Sequence, residues 1–138
     1  MEFRGISSYH DGFYGGQRGP NTIFVIKADG LNLCHLGDLG HVLNSDKLAE
    51  IGTVDILFIP VGGFYTINSN QATQIIKDIK PKLAIPMHYK TEAIKFSIDP
   101  VEIFLSENDN VQRIESNEFD ITEDTLPKNT QIYVLKYE

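Results

Sequence analysis

The chain has a single cysteine, Cys34, in 138 residues. No intrachain disulfide can form, and the paired cysteines of a zinc finger are excluded. Cys34 sits in the apolar run 31–36, where a buried inert thiol is the expected role rather than a nucleophile. Long apolar runs are also missing: none approaches the roughly 20 residues that a membrane-spanning helix needs. Met1-Glu2-Phe3-Arg4 lacks a basic stretch leading into an apolar one. It does not read as a secretory signal, and the cytoplasm is the expected location. Positive charge is scarce, with 12 Lys and Arg against 19 Asp and Glu and a formal net charge of −7. Such a balance argues against a broad footprint on DNA or RNA while leaving room for a local basic pocket. The acidic residues crowd after Asp99, from Glu102 to Asp124, and read as a solvated surface.

Several catalytic signatures are absent as well. There is no phosphate-binding loop of the nucleotide hydrolases and no dinucleotide glycine fingerprint. No serine sits in a G-x-S-x-G elbow. Internal repeats, low-complexity stretches and linkers are lacking too. With 41% hydrophobic and 22% charged residues, the chain has the makings of one globular domain with its own core.

What is present alternates short apolar runs with turn signals. Residues 2–9 read as a strand that delivers Ser8, Tyr9 and His10 to its end. The loop 11–20 follows with four glycines, a composition suited to flexibility or close approach. Residues 21–27 are rich in branched and aromatic side chains and predict a strand. Ala28-Asp29-Gly30 then supplies a turn signal, and 31–36 is the expected partner in a hairpin. A short helix is predicted over 43–51, ended by Gly52. Residues 54–59 are almost wholly apolar, as in a strand covered on both faces.

The clearest helix spans 68–80, where Ala72, Ile75, Ile76 and Ile79 keep helical spacing. Asn68 with Gln71 resembles a capping box, and Pro81 blocks continuation. Another short strand is expected at 83–86. A helix over 99–105 is expected to be capped by Asp99, with Pro100 in its first position. The tail, 110–138, reads as strands and turns. This order of elements implies a layered α/β domain with helices against a sheet.

Only four histidines occur, and three chemistry-bearing residues share one placement. His10, Asp38 and His88 each fall just beyond an apolar strand run. Strand ends of a layered fold converge on one rim, so the three can meet there. Imidazole nitrogen and carboxylate oxygen suit zinc, and also manganese or iron. Gly37 and Gly40 flank Asp38 and Leu39, letting the backbone turn sharply to present the carboxylate. Gly62-Gly63 follow a strand at the same inferred rim; they suit a simple turn or a functional loop. Arg18, in the glycine-rich loop, is either an exposed surface cation or a fork for an anionic substrate group.

Five strings in order then match a known family: Ser8-Tyr9-His10-Asp11, Arg18-Gly19-Pro20-Asn21-Thr22, His35-Leu36-Gly37-Asp38-Leu39-Gly40-His41, Ile59-Pro60-Val61-Gly62-Gly63 and Ile85-Pro86-Met87-His88-Tyr89. Together they resemble the zinc-dependent hydrolases of the metallo-β-lactamase fold, in the branch related to the ascorbate-phosphate lactonases. The resemblance implies the C-terminal half of an αββα sandwich with a metal site at one rim. His10 then matches the third metal histidine, Asp38 the aspartate that can bridge two metals, and His88 the last metal histidine. His41 would lie nearby as a proton donor or substrate contact, and His35 would be structural. One or two zinc ions would be the cofactor. A small, anionic ester, lactone or phosphoester would be the substrate, contacted by Arg18, Gly62 and Gly63.

One departure stands out. The family's H-x-H-x-D-H string, which lies upstream of the residue matching His10, is absent. A fragment of a longer product, a half completed by a partner, and a non-catalytic remnant or interaction module with weak metal binding are all open. A sheet built to pack on another sheet would expose its inner face, so self-association or a separate N-terminal half is expected.

Overall fold

The computed structural model describes residues 1–138. Its centre is one seven-stranded sheet in the order β1-β2-β3-β4-β5-β7-β6. The first three strands, β1 (Glu2–Tyr9), β2 (Pro20–Ala28) and β3 (Leu31–His35), form an antiparallel meander. Asp29 and Gly30, with φ of 50° and 80°, make the tight hairpin turn that the Asp-Gly pair predicts, because both positions need the left-handed region. From β3 onward the pairing is parallel: β4 (Ile56–Pro60), β5 (Leu83–Met87), then β7 (Gln131–Val134), with β6 (Val111–Arg113) at the far edge. The last strand inserts between β5 and β6, a pairing that no local pattern announces.

Three helices cover one face of the sheet. They are α1 (Ser45–Ile51), α2 (Ser69–Ile79) and α3 (Val101–Ser106). Alternation along each strand sends one set of side chains toward them. Ile6, Ile23, Val25, Cys34, Leu57, Ile59, Ala84, Ile132 and Val134 meet Ile51, Ala72, Ile75, Ile76, Val101 and Phe104 in the main core. The capping box at Asn68 and Gln71 forms as predicted, and Lys80 ends α2 in the left-handed conformation. Two helix starts differ from expectation. α1 begins at Ser45 because Asn44 caps it, accepting the Lys47 N–H. α3 begins at Val101, with Pro100 rather than Asp99 in the capping position and no side-chain cap bond.

The opposite face is only partly covered. Leu31, Ile56 and Leu83 are buried there beside Tyr133 of β7, with Phe119, Ile121 and Leu126 of the C-terminal segment packed against them. Toward β1 and β2 that cover stops, leaving Phe3 65% and Phe24 46% exposed. No helix is long and apolar enough to cross a membrane.

Candidate metal centre

β1 and β3 run the same way because each is antiparallel to β2, and β4 and β5 are parallel to β3. Residues just past the ends of β1, β3, β4 and β5 therefore leave the sheet at one rim. His10 follows β1, Asp38 lies three residues beyond β3, Val61-Gly62-Gly63 follow β4, and His88 follows β5. Backbone hydrogen bonds tie these loops together. The His10 N–H donates to Gly19 O, Gly40 N–H to Tyr9 O, Ile67 N–H to Leu39 O, and Asp99 N–H to Gly62 O.

Two of the three candidate ligands come together. His10 Nε2 stands 3.8 Å from Asp38 Oδ2, too far for a hydrogen bond. Two ligands of one tetrahedral zinc stand about 3.4 Å apart, given bonds of about 2.1 Å. A small side-chain adjustment would thus let both hold one ion. His88 is on the same rim but is not gathered with them, since no group of three His, Cys, Asp or Glu side chains is close enough to hold one metal. His10 Nε2 and His88 Nδ1 are nevertheless alike in a telling respect. Both are buried side-chain polar atoms without a hydrogen-bond partner, and no other such atoms occur in the chain. An imidazole nitrogen withdrawn from water and left unpaired is costly. Coordination to a cation satisfies such an atom, so the donor set fits a zinc-type ion.

The surroundings hold these groups in place. Asp38 is exposed, but its backbone N–H donates to Asn21 Oδ1 at 2.9 Å. The Asn21 amide donates in turn to Ser8 Oγ and to Leu36 O. Gly37, at φ 61°, lies against Asn21 Oδ1, and a Cβ there would meet that oxygen. His35 accepts the Gly37 N–H on Nδ1 and stacks on Phe58 with ring centroids 5.7 Å apart. It buttresses the turn that presents Asp38.

His41 has both ring nitrogens engaged by backbone. Nε2 accepts the Tyr9 N–H at 3.2 Å and Nδ1 lies 2.8 Å from Val42 O. The arrangement requires the proton on Nδ1 and leaves neither nitrogen open toward a substrate.

Asp11 carries more structure than its place beside His10 suggests. It is buried, and its carboxylate accepts the backbone N–H groups of Phe13, Gly15, Gln17 and Arg18 at 2.7–2.9 Å. Burial works to raise its pKa, but the four donors prevail and hold it well below the ordinary carboxylate range. The sequence offered one clue to Asp11: an aspartate directly ahead of a glycine-rich loop full of free N–H groups. Asn21 offered none, because its partners come from two other segments.

Arg18, on the loop that Asp11 organises, places its guanidinium 5.5 Å from the centre of the Tyr65 ring. Gly62 packs so closely on the backbone carbonyl of His88 that a Cβ would overlap it, and Gly40 does the same against His10.

Residues 1–88 match the model of the Beta-lactamase superfamily domain. A relative from Carboxydothermus hydrogenoformans, described as a UPF0173 metal-dependent hydrolase, is 44% identical over 68 residues, 49% of this chain and 30% of that protein. Another so described, from Thermoplasma acidophilum, is 32% identical over 96 residues, 66% of this chain and 43% of its own length. Among solved structures, a candidate Zn-dependent hydrolase of the metallo-β-lactamase superfamily from Thermotoga maritima superposes with a TM-score of 0.84 at 38% identity. That match covers 96% of this chain and 63% of the Thermotoga chain. The chain spans less than half the length of these two curated relatives.

Proposed function

Because the chain belongs to the Beta-lactamase superfamily domain family, with 1–88 as the matched residues, we propose that it carries part of the metal site of a metal-dependent hydrolase. His10, Asp38 and His88 are the metal-holding side chains in this reading, with zinc the favoured ion and manganese or iron the alternatives. The observation that supports it best is the pair of buried, unpartnered imidazole nitrogens on His10 and His88, one of them facing Asp38.

Lewis acidity, which acidifies water and polarises the bond to be cut, is what such an ion supplies when bound. The chain's own residues supply position. Asn21 and His35 set the turn that carries the Asp38 carboxylate. Asp11 shapes the loop that brings Arg18 to the rim, where its guanidinium takes the anionic part of a small ester, lactone or phosphoester. Gly62 and Gly63 keep the floor beneath the substrate low enough for close approach. The donors that complete the metal set, and the cover for the open sheet face, come from polypeptide outside these residues: a second copy or a separate N-terminal half.

A second reading has one observation in its favour. With no three-donor group in the chain, the fold could serve as a non-catalytic interaction module that binds metal weakly. Zinc titration of the purified, metal-stripped chain, followed by lactone and phosphodiester assays of the chain alone at rising concentration and with the N-terminal half of a full-length relative added, separates the two. Binding that weakens in His10→Ala, Asp38→Ala and His88→Ala, together with hydrolysis, supports the enzyme. Zinc affinity untouched by all three substitutions refutes the assigned site.

A further inference from the structure

Beside the metal-holding residues stands a set of aromatic side chains that neither the core nor the metal site uses. Phe64 and Tyr65 meet edge to face with centroids 4.6 Å apart, and Tyr65 meets Phe96 in the same manner at 6.1 Å. Phe64 and Phe96 are 66% and 62% exposed. Exposed aromatics scattered singly need no explanation, but two exposed rings flanking a third that carries a guanidinium over its face do.

The backbone beneath them is unusual. Phe64 has φ 61°, immediately after Gly63 at φ 67°. A bulky residue in the left-handed region is a genuine outlier, and such strain collects where a side chain must be presented rather than packed. Phe96 is held from below, since the Lys90 ammonium donates to its carbonyl at 2.6 Å. Lys90 N–H donates to Asp99 O, and Asp99 N–H to Gly62 O, which closes the 90–99 loop onto the turn after β4.

Arg18 completes the group. Its guanidinium lies over Tyr65 and makes no ion pair, and none of its side-chain nitrogens donates a hydrogen bond, in a chain of net charge −7. A cation–π contact of this kind occupies no N–H donor, so the fork stays free to meet an oxyanion. The platform joins the loop that starts at His10 to the turn that packs on His88, so it overlooks the metal-holding rim.

We propose that Arg18, Phe64, Tyr65 and Phe96 form a recognition platform for a small planar aromatic ring bearing an oxyanion. The ring edges and faces of Phe64 and Phe96 take the aromatic part, and the Arg18 fork takes the oxyanion. As a statement about substrate class it rests on the hydrolase reading, but its binding test does not depend on turnover.

The test is calorimetric titration of the full chain, stripped of metal with a chelating resin, against phenyl phosphate, cyclohexyl phosphate and inorganic phosphate. Phenyl phosphate is expected to bind about three- to tenfold more tightly than its saturated analogue, the range that aromatic pairing supplies. Arg18→Ala is expected to abolish the binding, and Arg18→Lys to weaken it. Phe64→Leu and Phe96→Leu, both at exposed positions that folding does not depend on, are expected to erase the aromatic preference. Equal affinity for phenyl and cyclohexyl phosphates overturns the proposal, and so does binding unchanged by Arg18→Ala. A chain that binds zinc without aromatic preference loses this platform and keeps the metal reading. One with the preference but no zinc affinity does the reverse.

Discussion

Asn21 holds Asp38 by the backbone rather than by the carboxylate. Its Oδ1 accepts the Asp38 N–H while its amide donates to Ser8 Oγ and Leu36 O. One side chain thereby locks the end of β1, the start of β2 and the turn after β3. The Asp38 carboxylate stays free of hydrogen bonds within the chain and is available to a cation. Asn21→Ala is expected to fold, since β2 pairs through its backbone, but to lower zinc affinity by about 10- to 100-fold, as losses around metal ligands do. Isothermal titration against the parent chain measures it; an unchanged affinity would remove Asn21 from the site.

Asp11 makes a different prediction, about order. Its four N–H partners lie within residues 13–18, so Asp11→Ala is expected to speed amide exchange at Phe13, Gly15, Gln17 and Arg18 while leaving β1 and β2 protected. The pH dependence has a definite sign. A carboxylate whose pKa is lower in the fold than in the open chain stabilises the fold above its ordinary pKa and ceases to as pH falls through the lowered value. Exchange protection in the loop should therefore survive into strongly acid solution. Loss of protection already at the ordinary carboxylate pKa would show that the cradle is not formed.

Much of this architecture was legible from local pattern. The hairpin turn at Asp29-Gly30, the capping box of α2 and the strand that ends before His10 follow from propensity and turn chemistry, which act over a few residues. Element limits were less so: Asn44 and Pro100 took capping positions that periodicity alone does not assign. The placement of His10, Asp38 and His88 on one rim follows once strand directions are known. Closeness does not, and the structure joins His10 to Asp38 while leaving His88 apart. The cradle of Asp11 and the hub at Asn21 depend on loops meeting in space, which spacing along the chain does not encode.

Close backbone approach gives a third test. A methyl at Gly62 would overlap the His88 carbonyl, whereas a methyl at Gly12 would meet nothing within 4 Å. Gly62→Ala is expected to cost about 1–3 kcal/mol, the usual penalty of overpacking, and to shift His88. Gly12→Ala is the control, expected to leave stability within about 0.5 kcal/mol. Urea unfolding of both variants decides it, and equal midpoints would mean that the β4 and β5 loops are not in contact.

Cys34 is fully buried against the helices, and burial pushes its thiol from the ordinary 9.0 up to about 12, with Arg4 pulling weakly the other way. At neutral pH the native chain should resist alkylation by iodoacetamide and react only on unfolding. Linkage adds a pH window. Between about 9 and about 12 the unfolded thiol loses its proton while the folded one keeps it, so stability falls as pH rises through that range. Cys34→Ala should flatten the fall. Rapid alkylation of the native chain at pH 7 would place the thiol at the surface.

The open part of the sheet carries the last prediction. Gly5, Phe24, His35, Phe58 and Ile85 are register partners in one row across five strands, and Phe3 pairs with Ile26 beside them. The C-terminal segment covers the β3–β5 end of this face, but Phe3 and Phe24 stay in solvent. Burying a phenylalanine side chain fully contributes about 1.5–3 kcal/mol, and since Phe3 and Phe24 together leave about one side chain's worth of surface in solvent, covering both favours association by about 2–3 kcal/mol per chain before its entropy cost. The isolated chain is expected to self-associate and to bind a hydrophobic dye, and Phe3→Ser with Phe24→Ser to shift it toward monomer. Because the substituted positions lie outside the helix-covered core, circular dichroism should stay unchanged. Sedimentation analysis supplies the decisive number: a parent chain that stays monomeric and dye-free at every concentration would mean that this face needs no cover at all.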